Sequence, residues 1–291
     1  MSAPKSKAIA VVAPAKVNLY LHVVGRRSDG YHLLDTLMVF AELGDGVTVE
    51  TAGKLTLETD GPFAASLPND HDDNLVMKAA RALAQAAGIR PRARIRLTKN
   101  LPVSAGLGSG SSDAAATLKA LSRLWEIPDV AVDLPALALT LGADVPACLV
   151  AEPLFVGGIG ELLTPAPRLP AVDMLLVNPG VQLSTPAVFG ARRGGFNPEA
   201  RFTEPPRDVR ELAELLKDRE NDLAEAATRL SPVVREMLGA IESAPGCRLA
   251  RMSGSGATCF GLFDDAETAG RAKDQLERYD WWCAVTRFGG G

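Results

Sequence analysis

Three glycines and four serines crowd into Pro102-Val103-Ser104-Ala105-Gly106-Leu107-Gly108-Ser109-Gly110-Ser111-Ser112, directly ahead of Ala114, Leu118, Leu121 and Trp125 at helical spacing. Phosphate groups need many donors in a small concavity. The unpaired N–H groups at the start of a helix provide them, together with the favourable end of the helix dipole. Glycines let a ligand approach the backbone closely, and serine hydroxyls add donors. The run is no Walker A loop, because no Gly-Lys-Ser/Thr follows. It is no dinucleotide fingerprint either, because Ser111 stands where the third glycine belongs. A flexible linker is the competing reading, but a linker does not normally pass from Leu101-Pro102 into a helix whose first turn carries Ser112 and Asp113.

A phosphate loop without its own lysine must find its positive charge elsewhere. Moving a phosphoryl group to an alcohol also calls for in-line positioning and a destination for the hydroxyl proton. Lys16 and Asp144 are the candidates. Lys16 shares one face of an alternating stretch with Asn18, Tyr20 and His22, while Val17, Leu19, Leu21 and Val23 form the other face. Taken alone, Lys16 reads equally well as a solvated strand-edge lysine, and Asp144 as a helix cap after the stop at Gly142.

The elements that must hold these residues are legible from periodicity. Strands are predicted at Val17–Val23 (half-buried), Leu33–Phe40, Val47–Glu50, Leu55–Glu58 and around Ala93–Leu97. Asp72-Asp73-Asn74 should cap a helix ending at Gly88, and Leu134–Leu141 should form another that stops at Gly142. Asp144-Val145-Pro146 then demands a redirection of the chain. Prolines 165, 167 and 170 mark a shift that suggests domains at 1–165 and 166–291. The second half reads strand, helices, strand, strand, helix, strand, the split βαββαβ order. Arg192–Pro206 is polar and contains Gly and Pro, a stretch whose order the sequence leaves open, with a mobile surface loop as one reading. Asp70-His71-Asp72-Asp73 has metal-ligand residue types but is better explained as capping and first-turn charge.

Composition narrows the partners. With 31 basic and 35 acidic residues scattered along 291, the net charge is −4, which excludes the basic footprint of a nucleic-acid binder. No apolar run reaches the length of a membrane span, residues 1–8 lack the apolar core of a signal peptide, and four widely separated cysteines suggest reduced core residues. A cytoplasmic protein with no nucleic-acid and no membrane partner is expected. Monomer and homodimer stay open.

The loop resembles the central P-x-x-x-G-L-G-S-S-A-A motif of the GHMP small-molecule kinases. Ala13-Pro14-Ala15-Lys16-Val17-Asn18-Leu19, Asp29-Gly30-Tyr31-His32, Leu141-Gly142-Ala143-Asp144-Val145-Pro146, Gly158-Ile159-Gly160-Glu161, Ser184–Phe189 and Ser253-Gly254-Ser255-Gly256 extend the likeness over nearly the whole chain. The resemblance implies an α+β fold: an N-terminal domain similar to the second domain of ribosomal protein S5 and a ferredoxin-like C-terminal domain, with the active cleft between them. It implies ATP as co-substrate, Mg2+ without an assigned ligand, and a small-molecule acceptor carrying a cytidylyl group. By the same resemblance Asp144 is the base, with Lys16 beside it. ATP falls to Asn74, Lys99 and every residue from Pro102 to Ser112. Asn18, Tyr31, His32, Asp144, Thr185 and Phe189 meet the acceptor, Tyr31 and Phe189 flanking the cytosine. Other acceptors within the family (homoserine, mevalonate, a sugar) and a nucleotide-binding member without turnover are the alternatives.

Overall fold

The computed structural model describes residues 8–68 and 71–290; Asp70 lies outside them. Two compact units emerge, each discontinuous in sequence: the first takes the chain up to Ala15, Gly44–Val103 and Ser109–Val150, and the second takes Lys16–Leu43, Ser104–Gly108 and Ala151–Gly291. Compactness thus divides the chain differently from a single cut at residue 165. Two 19-residue strands, β1 (Ala8–Arg26) and β2 (His32–Glu50), pair with each other and contribute to both units.

In the first unit, β3 (Thr56–Asp60) runs parallel to β4 (Arg94–Thr98), and β4 pairs antiparallel with Gly46–Glu50 of β2. Parallel neighbours need a crossover, supplied by α1 (Leu75–Ala86). Asn74 caps α1 by accepting from the Val76 N–H at 2.9 Å. At its other end Gly88 takes a positive φ of 65°, and Ile89 N–H reaches back to Ala84 O, a Schellman closure. The helices α2 (Ser109–Leu124), α3 (Leu134–Leu141) and α4 (Val145–Val150) complete the unit, α1 and α4 both packing on α2. The chain turns between α3 and α4 as anticipated, but Val145 is already helical, with Pro146 in the first turn where its missing N–H costs no bond.

In the second unit, Leu34–Met38 of β2 pair with β5 (Leu154–Gly158), which pairs with β6 (Leu162–Pro165). This hairpin was not anticipated; each strand has only four or five residues. The strands β7 (Val172–Asn178), β8 (Cys247–Met252), β9 (Cys259–Phe263) and β10 (Trp282–Phe288) form an antiparallel sheet ordered β10-β7-β9-β8, the expected split βαββαβ. Arg207–Glu242 breaks into α6 (Val209–Leu216), α7 (Ala224–Leu230) and α8 (Val233–Glu242), preceded by α5 (Thr185–Ala191) and followed by α9 (Ala266–Leu276). Leu175, Val177, Met237, Ile241, Phe263 and Ala272 lie in its fully or nearly fully buried core.

One expectation is corrected here. The strand at Val17–Val23 is buried on both faces, not one: Lys16, Asn18, Tyr20 and His22 are at most 5% exposed. Arg192–Pro206, whose order the sequence leaves open, is tied down by hydrogen bonds. Ala200 N–H and Arg201 Nε bond to Asp35 at 2.8 and 2.7 Å, Asn197 N–H bonds to Val23 O at 3.0 Å, and His22 Nδ1 meets Pro198 O at 3.0 Å.

Close approach of β1 and β2 depends on Gly44. A Cβ there would lie 2.3 Å from Ala13 O and 2.9 Å from Pro14 Cα, both backbone atoms that cannot swing away. Gly44→Ala is expected to destabilise the protein by about 1–3 kcal/mol, the usual cost of overpacking, read as a lower denaturation midpoint. An unchanged midpoint would show that the strands separate freely at this point.

Candidate active site

In the second unit the centre of the site is Lys16. Its backbone N–H donates to Leu107 O at 2.9 Å, which fixes β1 to the glycine loop. Its ammonium donates to Asn18 Oδ1 at 2.9 Å; Asn18 Nδ2 in turn donates to Thr36 Oγ1 at 2.9 Å, and Thr36 donates to Tyr20 O. Asn18 N–H also bonds to Ser253 Oγ at 3.2 Å, and that hydroxyl donates to Gly106 O at 2.9 Å. The glycine loop is therefore clamped from both sides. A Cβ on Gly106 would fall 2.5 Å from Ser253 O, and one on Gly108 would fall 2.8 Å from Lys16 Cε, at positive φ values of 78° and 59°. These two glycines serve internal contacts first. Gly110 alone of the three has open space where a side chain would be.

Ala105 and Leu107 are buried, anchoring the loop while Ser104, exposed at a positive φ of 54°, forms its outer edge. Val103 is half-buried and Pro102 buried. The helix α2 begins at Ser109, so its first-turn N–H groups, those of Ser109, Gly110 and Ser111, have no intrahelical acceptors. Ser111 is half-buried, whereas Ser112 is 1% exposed and turns its hydroxyl to Cys148 Sγ at 3.3 Å. Cys148 N–H donates to Asp144 O at 3.1 Å, so within the first unit the Asp144 turn is joined to the start of α2 by two short links. The side chain of Asp144 is half-buried.

Lys99 is turned inward. At 1% exposure its ammonium donates to Asp113 Oδ2 at 2.6 Å and to Asp45 Oδ2, while Asp45 Oδ1 accepts from the N–H groups of Asn100 and Leu101 at 2.6 and 2.9 Å. The cluster ties β2, the end of β4 and the first turns of α2 together. Its Lys99 ammonium is engaged by both carboxylates. Asp45 was not foreseen, although a carboxylate between Gly44 and Gly46 inside an apolar strand was a signal. The same holds for Thr36, which with Asp35 interrupts the apolar run Leu33–Phe40.

Among the expected acceptor residues, Phe189 stacks on His32 with centroids 5.1 Å apart at 24°. Tyr31 stands 62% exposed, its N–H on Asp29, and Thr185 Oγ1 meets Ser255 Oγ at 2.8 Å. Partial burial first, then the charges of Arg26 and Arg192, hold the His32 pKa below its ordinary value. The shift favours the neutral imidazole, which donates at one nitrogen and accepts at the other. Asn18 is different: at 1% exposure its amide bonds both Lys16 and Thr36. Asn74 has its side-chain oxygen occupied as the α1 cap.

The sequence matches the GHMP kinases N terminal domain over residues 74–152 and the GHMP kinases C terminal domain over residues 200–280. This chain belongs to the GHMP kinase family. It is an ATP-dependent small-molecule kinase of α+β architecture. A protein of Paramagnetospirillum magneticum named 4-diphosphocytidyl-2-C-methyl-D-erythritol kinase is 52% identical over 280 residues, covering 96% of this chain and 98% of that one. A crystal structure of 4-(cytidine 5'-diphospho)-2C-methyl-D-erythritol kinase aligns with a TM-score of 0.81 at 38% identity, over 97% of this chain and 100% of the other. The homoserine kinase of Cytophaga hutchinsonii shares the fold alone, with a TM-score of 0.71 at 19% identity over 99% and 96% of the two chains. No helix of the described residues is long and apolar enough to cross a membrane.

Asp113 offers a test of the buried cluster. Burial first, then the neighbouring Asp45, raises its pKa from 3.8 to about 7 against the pull of Lys99. Its Oδ1 is buried with no hydrogen-bond partner among the described residues, easier on a neutral acid than on a carboxylate. Between those two pH values the native state keeps a proton that the unfolded chain has lost, so stability falls as pH rises through the window. Asp113→Asn should flatten that fall, as followed by denaturant titration at several pH values. An unaltered slope would place the proton elsewhere.

Proposed function

We propose that this kinase transfers the γ-phosphoryl group of ATP to the 2-hydroxyl of 4-diphosphocytidyl-2-C-methyl-D-erythritol, yielding the 2-phosphate and ADP, a step of the non-mevalonate isoprenoid route. The observation that carries the mechanism is the buried Lys16, held by Asn18 and pressed against Gly108, the residue before the α2 start. A lysine brought from β1 supplies the charge that a loop without a Walker lysine lacks. In this reading the first-turn N–H groups of α2 take the phosphates, Lys16 opposes the charge of the transferring group, and Asp144 receives or orients the acceptor hydroxyl. Asp144 is also an oxygen donor of the kind Mg2+ takes from protein when phosphates supply most of its ligands, and the ion when bound neutralises phosphate charge. Pro102–Ser112 serve as the ATP loop, with Asn74 and Lys99 supporting the elements around it. Asn18, Tyr31, His32, Thr185 and Phe189 form the acceptor side. The neutral His32 suits the edge of a cytosine, and Phe189 offers an aromatic face.

The choice of acceptor rests on the near full-length identity to proteins of that name, because the fold is shared with a homoserine kinase and does not select a substrate. Division at 165/166 follows the same family reading, and a cytoplasmic location agrees with it.

ADP release from the purified protein with Mg-ATP and a panel of acceptors tests the proposal. Turnover is expected with the cytidylyl acceptor and not with homoserine, mevalonate or galactose; preference for one of these, or no turnover, would overturn it. Lys16→Ala and Asp144→Asn should each lower kcat by about 100-fold or more, the scale for removing a group that meets transition-state charge. Circular dichroism and nucleotide binding should stay close to normal. Near-normal kcat in either variant would remove that residue from the reacting pair.

A further inference from the structure

The hydroxyl of Thr36 has one proton and gives it to Tyr20 O. Toward Asn18 it can therefore present only a lone pair, and it accepts from Asn18 Nδ2 at 2.9 Å. That choice orients the whole amide: with its NH2 end bound to Thr36, the Asn18 oxygen must point the other way, where it takes the Lys16 ammonium at 2.9 Å. The flipped amide would set two oxygens against each other at Thr36 and two donors against each other at Lys16. Thr36 is itself held firmly. It is fully buried in β2, and its acceptor Tyr20 is pinned by a hydroxyl bond of 2.8 Å to Asp35, which also takes Ala200 N–H and Arg201 Nε.

We propose that Thr36 is a positioning residue for phosphoryl transfer, acting through the Asn18 amide to aim the ammonium of Lys16. It touches neither ATP nor the acceptor in this role. The proposal rests on the reading of Lys16 as the lysine that meets the transferring group. Misplacing such a group by a fraction of its bond length weakens interactions that count only in the transition state, so the loss should appear in kcat rather than KM.

Thr36→Val keeps the shape and removes the hydroxyl; Thr36→Ser keeps the hydroxyl. The valine variant is expected to lose about 10- to 100-fold in kcat, the scale of a small misplacement, with both KM values within about threefold. The serine variant should return to within about threefold of wild type, since it restores the same donor and acceptor. In the background of Lys16→Ala, adding Thr36→Val should cost little more, because a residue acting through Lys16 has nothing left to aim. Wild-type kcat in the valine variant, equal loss in both variants, or a full additional loss in the double variant would each overturn the proposal. Near-normal turnover in Lys16→Ala alone would instead remove its premise, the assignment of Lys16, and is distinguished by that single variant. If valine is not accepted by the fold, Thr36→Ala gives the same comparison against serine.

Discussion

A buried ammonium is costly to hold, and the second unit is arranged around that cost at Lys16, a residue only 5% exposed. One partner of that ammonium is an oriented amide, Asn18, and the amide is oriented by Thr36. The same asparagine fixes Ser253 through its backbone N–H, and Ser253 fixes Gly106. Lys16 and Asn18 together thus link β1, β2, the glycine loop and the turn after β8. Gly106 and Gly108 follow from this constraint, since a side chain at either would strike the Ser253 backbone or the lysine stem.

The first unit solves a similar problem by a different route. Lys99 is buried more completely and is neutralised by two carboxylates, one of which also binds the two N–H groups that follow β4. Two acids against one base leave an excess negative charge unless a proton is retained, and burial favours its retention on Asp113. The two lysines therefore differ in kind. Lys99 is enclosed by full charges within the tie that reaches the start of α2, whereas the Lys16 ammonium donates to an amide oxygen.

Much of the ferredoxin-like half was legible because each element is marked by a periodic run and a stop. β7 is an uninterrupted buried run, α9 begins at an Asp265 cap, and the sheet order follows from the βαββαβ succession. What escaped were short or non-periodic pieces: β5 and β6 are too brief for alternation to show, and α5 and α4 have fewer than eight residues. The order of the 192–206 segment was unreadable for another reason. Its composition is that of a loose loop, but Asp35, far away in sequence, supplies a buried acceptor that holds it.

The sequence by itself determined the chemistry on offer: a glycine and serine loop at a helix start, no lysine within it, and Lys16 and Asp144 in family motifs that name the reaction type. Local spacing suffices for that, because helix starts, turns and motifs are short-range properties. Only the tertiary structure decided which polar groups are spent on holding others. That Thr36 orients Asn18, that Lys99 faces two carboxylates and that Gly108 yields to a lysine stem are all contacts between distant positions. Pairing of distant strands creates them, and no periodicity within either strand records which residue will stand opposite.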